Sequence, residues 1–316
     1  MVKEPVEVVC YGEPLVSIFA RPGLSLREDA PLSKGWGGDT LDTSIALAKL
    51  GHRTALLTRT SSDAFGDSLI DLLNANGVGT ALVQRDALHL TGLCFVSYEE
   101  GGHRFAYYRK DSAACFVEAE KIDWDLLGRA KVLHLSGISQ AIGTQALELS
   151  FRLMDFASKR GILVSYDINY RPALWDREMC RAIVRYTIEQ YVDVLQTTDE
   201  ELEQLGWEPQ SFLDTLEHRP LITALKHGAG GCTLLAGDQR VNVDAYAVEV
   251  IDTVGAGDAF AAGLIAARLR GLSLKNSGRL ANAVAALSCQ GKGPLHGQPT
   301  HQEVENFMRE QNSEGQ

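Results

Sequence analysis

Apolar and polar positions alternate in blocks along the chain. Val6–Cys10, Ala55–Thr58, Val132–Leu135, Ile162–Asp167, Val192–Thr197 and Leu221–Leu225 are short apolar runs rich in Val, Ile and Leu. Such runs suit strands of a parallel sheet that is covered on both faces. Between them, Thr40–Leu50, Ala64–Asn76, Gln145–Arg160, Arg177–Gln190 and Glu200–Leu205 carry helical spacing. Gly51, Gly161 and Gly206 follow three of these segments and act as helix stops. The alternation predicts an α/β fold with right-handed crossovers.

Two segments break this rhythm. Pro14–Ala20 reads as an isolated strand, and Leu93–Tyr108 as a strand pair interrupted by a turn at Glu100-Gly101-Gly102. They form either a small β-layer projecting from the main domain or an extension of its sheet edge. A projecting layer, about 12–38 and 91–112, can close over a substrate as a lid. No repeat, linker or low-complexity tract divides the chain, so residues 1–316 read as one domain. Only the tail, Glu310–Gln316, reads as disordered.

Composition narrows the function classes. With 45% hydrophobic and 22% charged residues the chain can build a large core. It has no apolar stretch of about 18 residues, and its N-terminus lacks the basic start and apolar centre of a signal peptide. The six cysteines are scattered without a C-x-x-C pair, which favours reduced cytosolic thiols, and the eight histidines show no ligand spacing for a tightly held transition metal. A net charge of −11 argues against a general nucleic-acid binder. It also requires that any site for an anion be a local basic exception.

The strongest chemical signal is Ile251-Asp252-Thr253-Val254-Gly255-Ala256-Gly257-Asp258-Ala259-Phe260, leading into a small-residue helix. Glycines just before a helix let a phosphate reach unsatisfied backbone N–H groups at the positive end of the dipole. Asp258, in the first turn, faces the same space. There it can take the proton of an attacking hydroxyl while the N–H groups of Gly255, Ala256 and Gly257 stabilise a transferred phosphoryl group. By itself, G-x-G-D reads more readily as a tight turn with a capping Asp. No G-x-x-x-x-G-K-[ST] is present, which excludes a P-loop kinase.

Other segments carry polar groups at predicted element ends. Gly35-Trp36-Gly37-Gly38-Asp39-Thr40-Leu41-Asp42-Thr43-Ser44 opens the first helix. Arg104–Ala114 contains Tyr107 and Arg109, which strand alternation puts on one face. Asp167-Ile168-Asn169-Tyr170-Arg171-Pro172 lies at the C-terminal end of a strand, where open α/β sheets bind ligands. Arg109 and Arg171 are planar forks suited to a carboxylate or phosphate and supply the basic exception. They serve equally as surface ion-pair partners when read alone.

The whole nonapeptide at 252–260 resembles the signature of the ribokinase-like (PfkB-type) carbohydrate kinases, and the resemblance runs from about residue 6 to 300. It implies a three-layer α/β/α fold with a mostly parallel central sheet and a small β lid. It further implies ATP and Mg²⁺, Asp258 as base, and a sugar held by Gly37, Gly38, Asp39 and Asp42. The family has Asn where this chain has Asp42. The segments with Tyr107, Arg109, Asn169 and Arg171, with Gly37–Leu41 and His134–Ser139, resemble 2-dehydro-3-deoxygluconate (KDG) kinases, in which the Tyr and Arg positions hold the sugar acid. Fructokinases carry similar segments.

On the nucleotide side, Thr198-Asp199-Glu200-Glu201 stands where the family has Asn-x-x-Glu, so Glu201 keeps the carboxylate near Mg²⁺ and Thr198 replaces the Asn. Lys226-His227-Gly228-Ala229-Gly230-Gly231 resembles the nucleotide-side glycine loop, with Gly228 and Gly231 as its key positions. Asn282 falls where the family borders the adenine and reads equally as a polar helix residue. Asp252 matches a region that binds a monovalent cation such as K⁺ in some relatives. The cysteine pattern suggests the cytoplasm, and the resemblance implies a homo-oligomer, with the β-layer either as dimer interface or only as lid. A non-catalytic sugar or nucleotide sensor on the same scaffold is the competing reading from another class.

Overall fold

The computed structural model describes residues 6–21, 23–99, 102–209 and 211–314. The turn expected at Glu100-Gly101 lies outside them. The strands are β1 Val8–Tyr11, β2 Leu15–Phe19, β3 Ser33–Gly37, β4 Thr54–Ser61, β5 Val83–Asp86, β6 Leu93–Glu99, β7 Gly102–Tyr108, β8 Val132–Ser136, β9 Leu163–Asp167, β10 Val194–Thr198, β11 Ile222–Lys226, β12 Cys232–Ala236 and β13 Gln239–Val243. Nine of them form one sheet in the order β13-β12-β11-β10-β9-β8-β1-β4-β5. It is parallel from β5 to β11, and β12 and β13 add an antiparallel edge.

Alternation along β1 shows why its apolar residues run consecutively. Val9 and Tyr11 enter one core with Leu133, Val164 and Leu195, beneath helices Thr144–Lys159 and Arg177–Tyr191. Val8 and Cys10 enter the opposite core with Leu41, Ile45, Ala262 and Val284, beneath helices Asp39–Lys49, Ala256–Leu269 and Leu274–Ser288. Both faces are covered, which gives three layers, and successive side chains find apolar partners on opposite sides.

β2, β3, β6 and β7 form a second sheet of four strands, in the order β3-β2-β6-β7, hydrogen-bonded separately from the large one. This answers the choice between projecting layer and edge extension, because β2 pairs with β6 in parallel and with β3 antiparallel. The expected disorder of Glu310–Gln316 is corrected: helix His301–Glu314 covers most of that tail. Thr300 and Glu303 brace its start reciprocally, with Thr300 N–H donating to Glu303 Oε2 at 2.7 Å and Glu303 N–H donating to Thr300 Oγ1 at 3.4 Å. Among the described residues no helix is long and apolar enough to cross a membrane.

Candidate active site

The C-terminal ends of the parallel strands converge on one region. Ser136 ends β8, Asp167 ends β9, Thr198 ends β10 and Lys226 ends β11; Ser136 pairs with Asp167, and Thr198 with Lys226, in register. Helix Asp39–Lys49 brings Asp39 to the same edge, where Asp39 accepts hydrogen bonds from Ser136 Oγ and, at 3.5 Å, from Asn169 Nδ2. Asn169 adopts φ 43°, a left-handed conformation that Asn tolerates better than most residues. Gly38, at φ 138°, precedes the helix so closely that a Cβ there would stand 2.5 Å from the Glu13 carbonyl oxygen.

The glycine-rich segment forms a loop entering helix Ala256–Leu269, with Gly255 as N-cap at φ 83° and no side chain capping the helix. A Cβ on Gly255 would lie 2.8 Å from Pro294 Cβ. Asp252 accepts the N–H of Val254 at 3.0 Å and of Gly293 at 2.9 Å, clasping this loop to the next. Both its oxygens are engaged, so no orphaned oxygen supports the monovalent-cation role expected of Asp252. Thr43 Oγ1 donates to the Asp258 carbonyl at 3.3 Å and ties the two helices together.

Charge is concentrated here. Lys226 Nζ donates to Asp167 Oδ2 at 2.6 Å and stands 3.8 Å from the place a Gly257 Cβ would take, beside the cradle. Burial opposes the Lys226 charge, but Asp167, Glu201 and Asp258 outweigh it and raise its pKa. Asp258 is held well above the usual carboxylate range by desolvation and by Asp39 and Asp167, with Lys226 and Arg171 acting the other way. Asp42 is likewise raised well above that range by burial, Asp258 and Asp39. Behind them, burial lowers the pKa of His134 to about 4 and keeps it neutral. Asp167 Oδ1 is enclosed and has no hydrogen-bond partner among the described residues.

The two arginines differ from the expectation that both offer open forks. Arg109 is claimed by Glu13: its Nε donates to Glu13 Oε2 at 2.7 Å, Nη2 contacts the same oxygen, and Ser112 Oγ donates to Oε1 at 2.5 Å. Glu13 was not foreseen. It sits in the turn between β1 and β2, and a single acidic residue next to proline carries no sequence signal of burial. Tyr107 does share a face with Arg109, whose guanidinium lies 5.6 Å from the ring centroid. Arg171 is exposed, donates from Nη1 to the Tyr170 carbonyl at 2.9 Å, and extends its charge to Tyr107, Glu201 and Asp258.

On the nucleotide side Thr198 and Glu201 form a capping box. Glu201 N–H donates to Thr198 Oγ1 at 3.1 Å, and Thr198 N–H donates to Glu201 Oε2 at 2.9 Å. Glu201 therefore starts helix Asp199–Gln204 and also lies within reach of Asp167 and Lys226, with burial and Asp167 raising its pKa. Gly228 and Gly231 take φ 56° and 88°, and a Cβ on Gly231 would stand 2.1 Å from the Val243 carbonyl oxygen. His227, just before them, joins Asp199 Oδ2 at 2.6 Å to Thr233 Oγ1 at 2.9 Å. Asn282 Nδ2 donates to the carbonyls of Val243 and Asp244, both at 3.0 Å, and so anchors the chain leaving β13. These bonds fix where Asn282 stands on helix Leu274–Ser288. Ser136, Asp167 and Asp199 went unassigned in the sequence, though the first two stand at strand ends where ligands of such sheets bind.

Comparison with known proteins gives this arrangement its context. Residues 7–301 match the pfkB family carbohydrate kinase description. The chain is 33% identical to fructokinase-1 of rice (Oryza sativa subsp. japonica), over 95% of this chain and 97% of that one. It is 30% identical to 2-dehydro-3-deoxygluconokinase of Bacillus subtilis, over 97% and 96%. A sugar kinase structure from Pyrococcus horikoshii in complex with ATP superposes with a TM-score of 0.85 at 28% identity, covering 94% of this chain and 96% of that one. A glycine cradle on an uncapped helix, a carboxylate in its first turn and a match over nearly the whole length lead to one conclusion: the chain belongs to the pfkB family of carbohydrate kinases.

Proposed function

We propose that this kinase transfers the γ-phosphoryl group of ATP to the 6-hydroxyl of 2-dehydro-3-deoxy-D-gluconate. The observation that carries the sugar-acid reading is Arg171, an exposed cation whose charge acts on both Tyr107 and Asp258. A carboxylate bound there meets the basic exception that an acidic chain requires. Gly37, Gly38, Asp39, Asp42 and Asn169 line the sugar, and Tyr107 orients it from the four-stranded sheet, which serves as lid.

Asp258 takes the proton of the attacking hydroxyl as the new O–P bond forms and the bond to the ADP oxygen breaks. Its raised pKa favours this acceptance. The N–H groups of Gly255, Ala256 and Gly257 stabilise charge on the transferred group, joined by Lys226. Thr198, Gly228, Gly231 and Asn282 shape the nucleotide side. The partnerless Oδ1 of Asp167 and the carboxylate of Glu201 fit Mg²⁺, which is held by one or two carboxylates together with substrate phosphates. When bound, Mg²⁺ neutralises phosphate charge. The exposed Leu32, Phe105 and Tyr108 of the lid region supply a surface for pairing of two copies. A cytoplasmic location accompanies ATP as donor.

A second reading, a neutral ketohexose such as fructose, is favoured by the rice relative and by Glu13, which already neutralises Arg109. An ADP-coupled assay with KDG and fructose, on wild type and Arg171→Leu, separates the two. The sugar-acid reading expects KM for KDG to rise at least tenfold, about 1.4 kcal/mol, with any fructose activity little changed. Equal losses on both sugars would remove the carboxylate role. Turnover of no sugar at all would favour a non-catalytic sensor.

A further inference from the structure

Asp42 stands where the resembling kinases have Asn, and its surroundings give that difference a chemical consequence. Its side chain is buried, the residue being only 3% exposed. Oδ2 accepts the Gly38 N–H in a long bond of 3.3 Å, while Oδ1 is enclosed and has no hydrogen-bond partner among the described residues. The charges facing it are both negative: Asp258 from helix Ala256–Leu269 and Asp39 one turn earlier on its own helix. Among the described residues no cation is among the groups that act on it. A Cβ on Gly37 of β3 would lie 3.9 Å from Asp42 Oδ2 and 3.4 Å from Pro294 Cγ. Asp258 has different company, since Lys226 and Arg171 counter the repulsion it feels from Asp39 and Asp167.

Carboxyl groups that share a poorly hydrated site do not all ionise together; one holds a proton at pH values where an isolated acid would not. The proton rests on the group with no cation nearby and an oxygen that nothing else satisfies. We propose that one proton resides on Asp42 at neutral pH, making Asp42 a neutral hydrogen-bond donor toward the acceptor sugar while Asp258 stays ionised to receive the hydroxyl proton. Asp42 is thus a positioning and specificity residue that offers the donor an Asn would offer, but only while it is protonated. Its proton does not leave during transfer. The part of this that concerns Asp258 rests on the proposed function; the position of the proton does not.

Asp42→Asn tests it, because Asn keeps the shape and the donor and cannot titrate. Wild-type kcat/KM should fall on the alkaline side as Asp42 ionises, whereas Asp42→Asn should stay level there. The acid limb, set by Asp258 beside a neutral neighbour in both proteins, should move by less than about 0.5 pH unit. An Asp42 that is ionised at neutral pH predicts the reverse: Asp42→Asn lowers the acid limb by about one unit or more and leaves the alkaline side alone. Infrared spectroscopy of the ligand-free protein reads the proton without turnover. At neutral pH wild type should show a protonated-carboxyl band whose intensity drops by one group in Asp42→Asn. Band loss in a protein that phosphorylates no sugar would overturn the kinase chemistry and keep the proton; no difference between the two spectra would overturn the proton. Should Asp42→Asn fail to fold, a wild-type band appearing only on acidification into the ordinary carboxylate range refutes the proposal equally well.

Discussion

Arg109→Leu is the perturbation with the most to reveal, because it separates structural from substrate duty. The Arg109 side chain is 10% exposed and that of Glu13 fully enclosed. Removing one partner of such a pair leaves an uncompensated buried charge, at a cost of about 3–5 kcal/mol. At about 2 °C per kcal/mol for a chain this long, the melting temperature should drop by roughly 6–10 °C at neutral pH. Ser112 keeps one bond to Glu13, so the lower end is the better expectation. Adding Glu13→Gln should restore most of the loss.

The pH dependence follows from Glu13, whose pKa burial raises while Arg109 and Ser112 pull it down. Without Arg109 the folded-state pKa rises further above its unfolded value. Stability is then retained at low pH, where Glu13 is protonated in both states, and lost as pH rises through the folded pKa. The deficit of Arg109→Leu relative to wild type should therefore shrink on acidification from pH 7 to about 5. Paired thermal melts at the two pH values, on the single and double variants, measure it. A wild-type melting temperature, or a deficit independent of pH and untouched by Glu13→Gln, would refute the buried-pair reasoning. Arg109 would then be free for the substrate after all.

Asp258→Asn should lower kcat by about 10²–10⁴ while calorimetry finds nucleotide binding intact; near-normal turnover would discard Asp258 as base. Lys226→Met removes a cation that lowers the Asp258 pKa, so the acid limb of kcat/KM should move to higher pH, and an unmoved limb would contradict the proximity of the two groups. Gly255→Ala combines a left-handed φ of 83° with a 2.8 Å approach to Pro294. It should destabilise by more than the about 1–2 kcal/mol of backbone strain. Gly77→Ala, at φ 71° with nothing within 4 Å, should show the strain alone, and equal losses in denaturant melts would discount the contact.

The apolar runs by themselves determined the six parallel strands they covered, because a strand buried on both faces must be apolar at successive positions. They missed β5, whose Val83-Gln84-Arg85-Asp86 is largely polar and only partly buried. They also passed over the β12–β13 hairpin, though Gly237-Asp238 between Ala236 and Gln239 is a two-residue turn signal. The glycine loop and Asp258 in the first turn of its helix were legible because a tight entry into a helix is specified by small residues in sequence order. What only the tertiary structure decided is which charges meet. Glu13 and Arg109 are 96 positions apart, Asp167 and Lys226 are 59 apart, and nothing local links either pair. Asp42 could be recognised as a departure from its sequence. That it lies buried beside Asp258, with an oxygen that no donor among the described residues reaches, follows from the packing of two helices, and pairwise electrostatics is a property of distance in space.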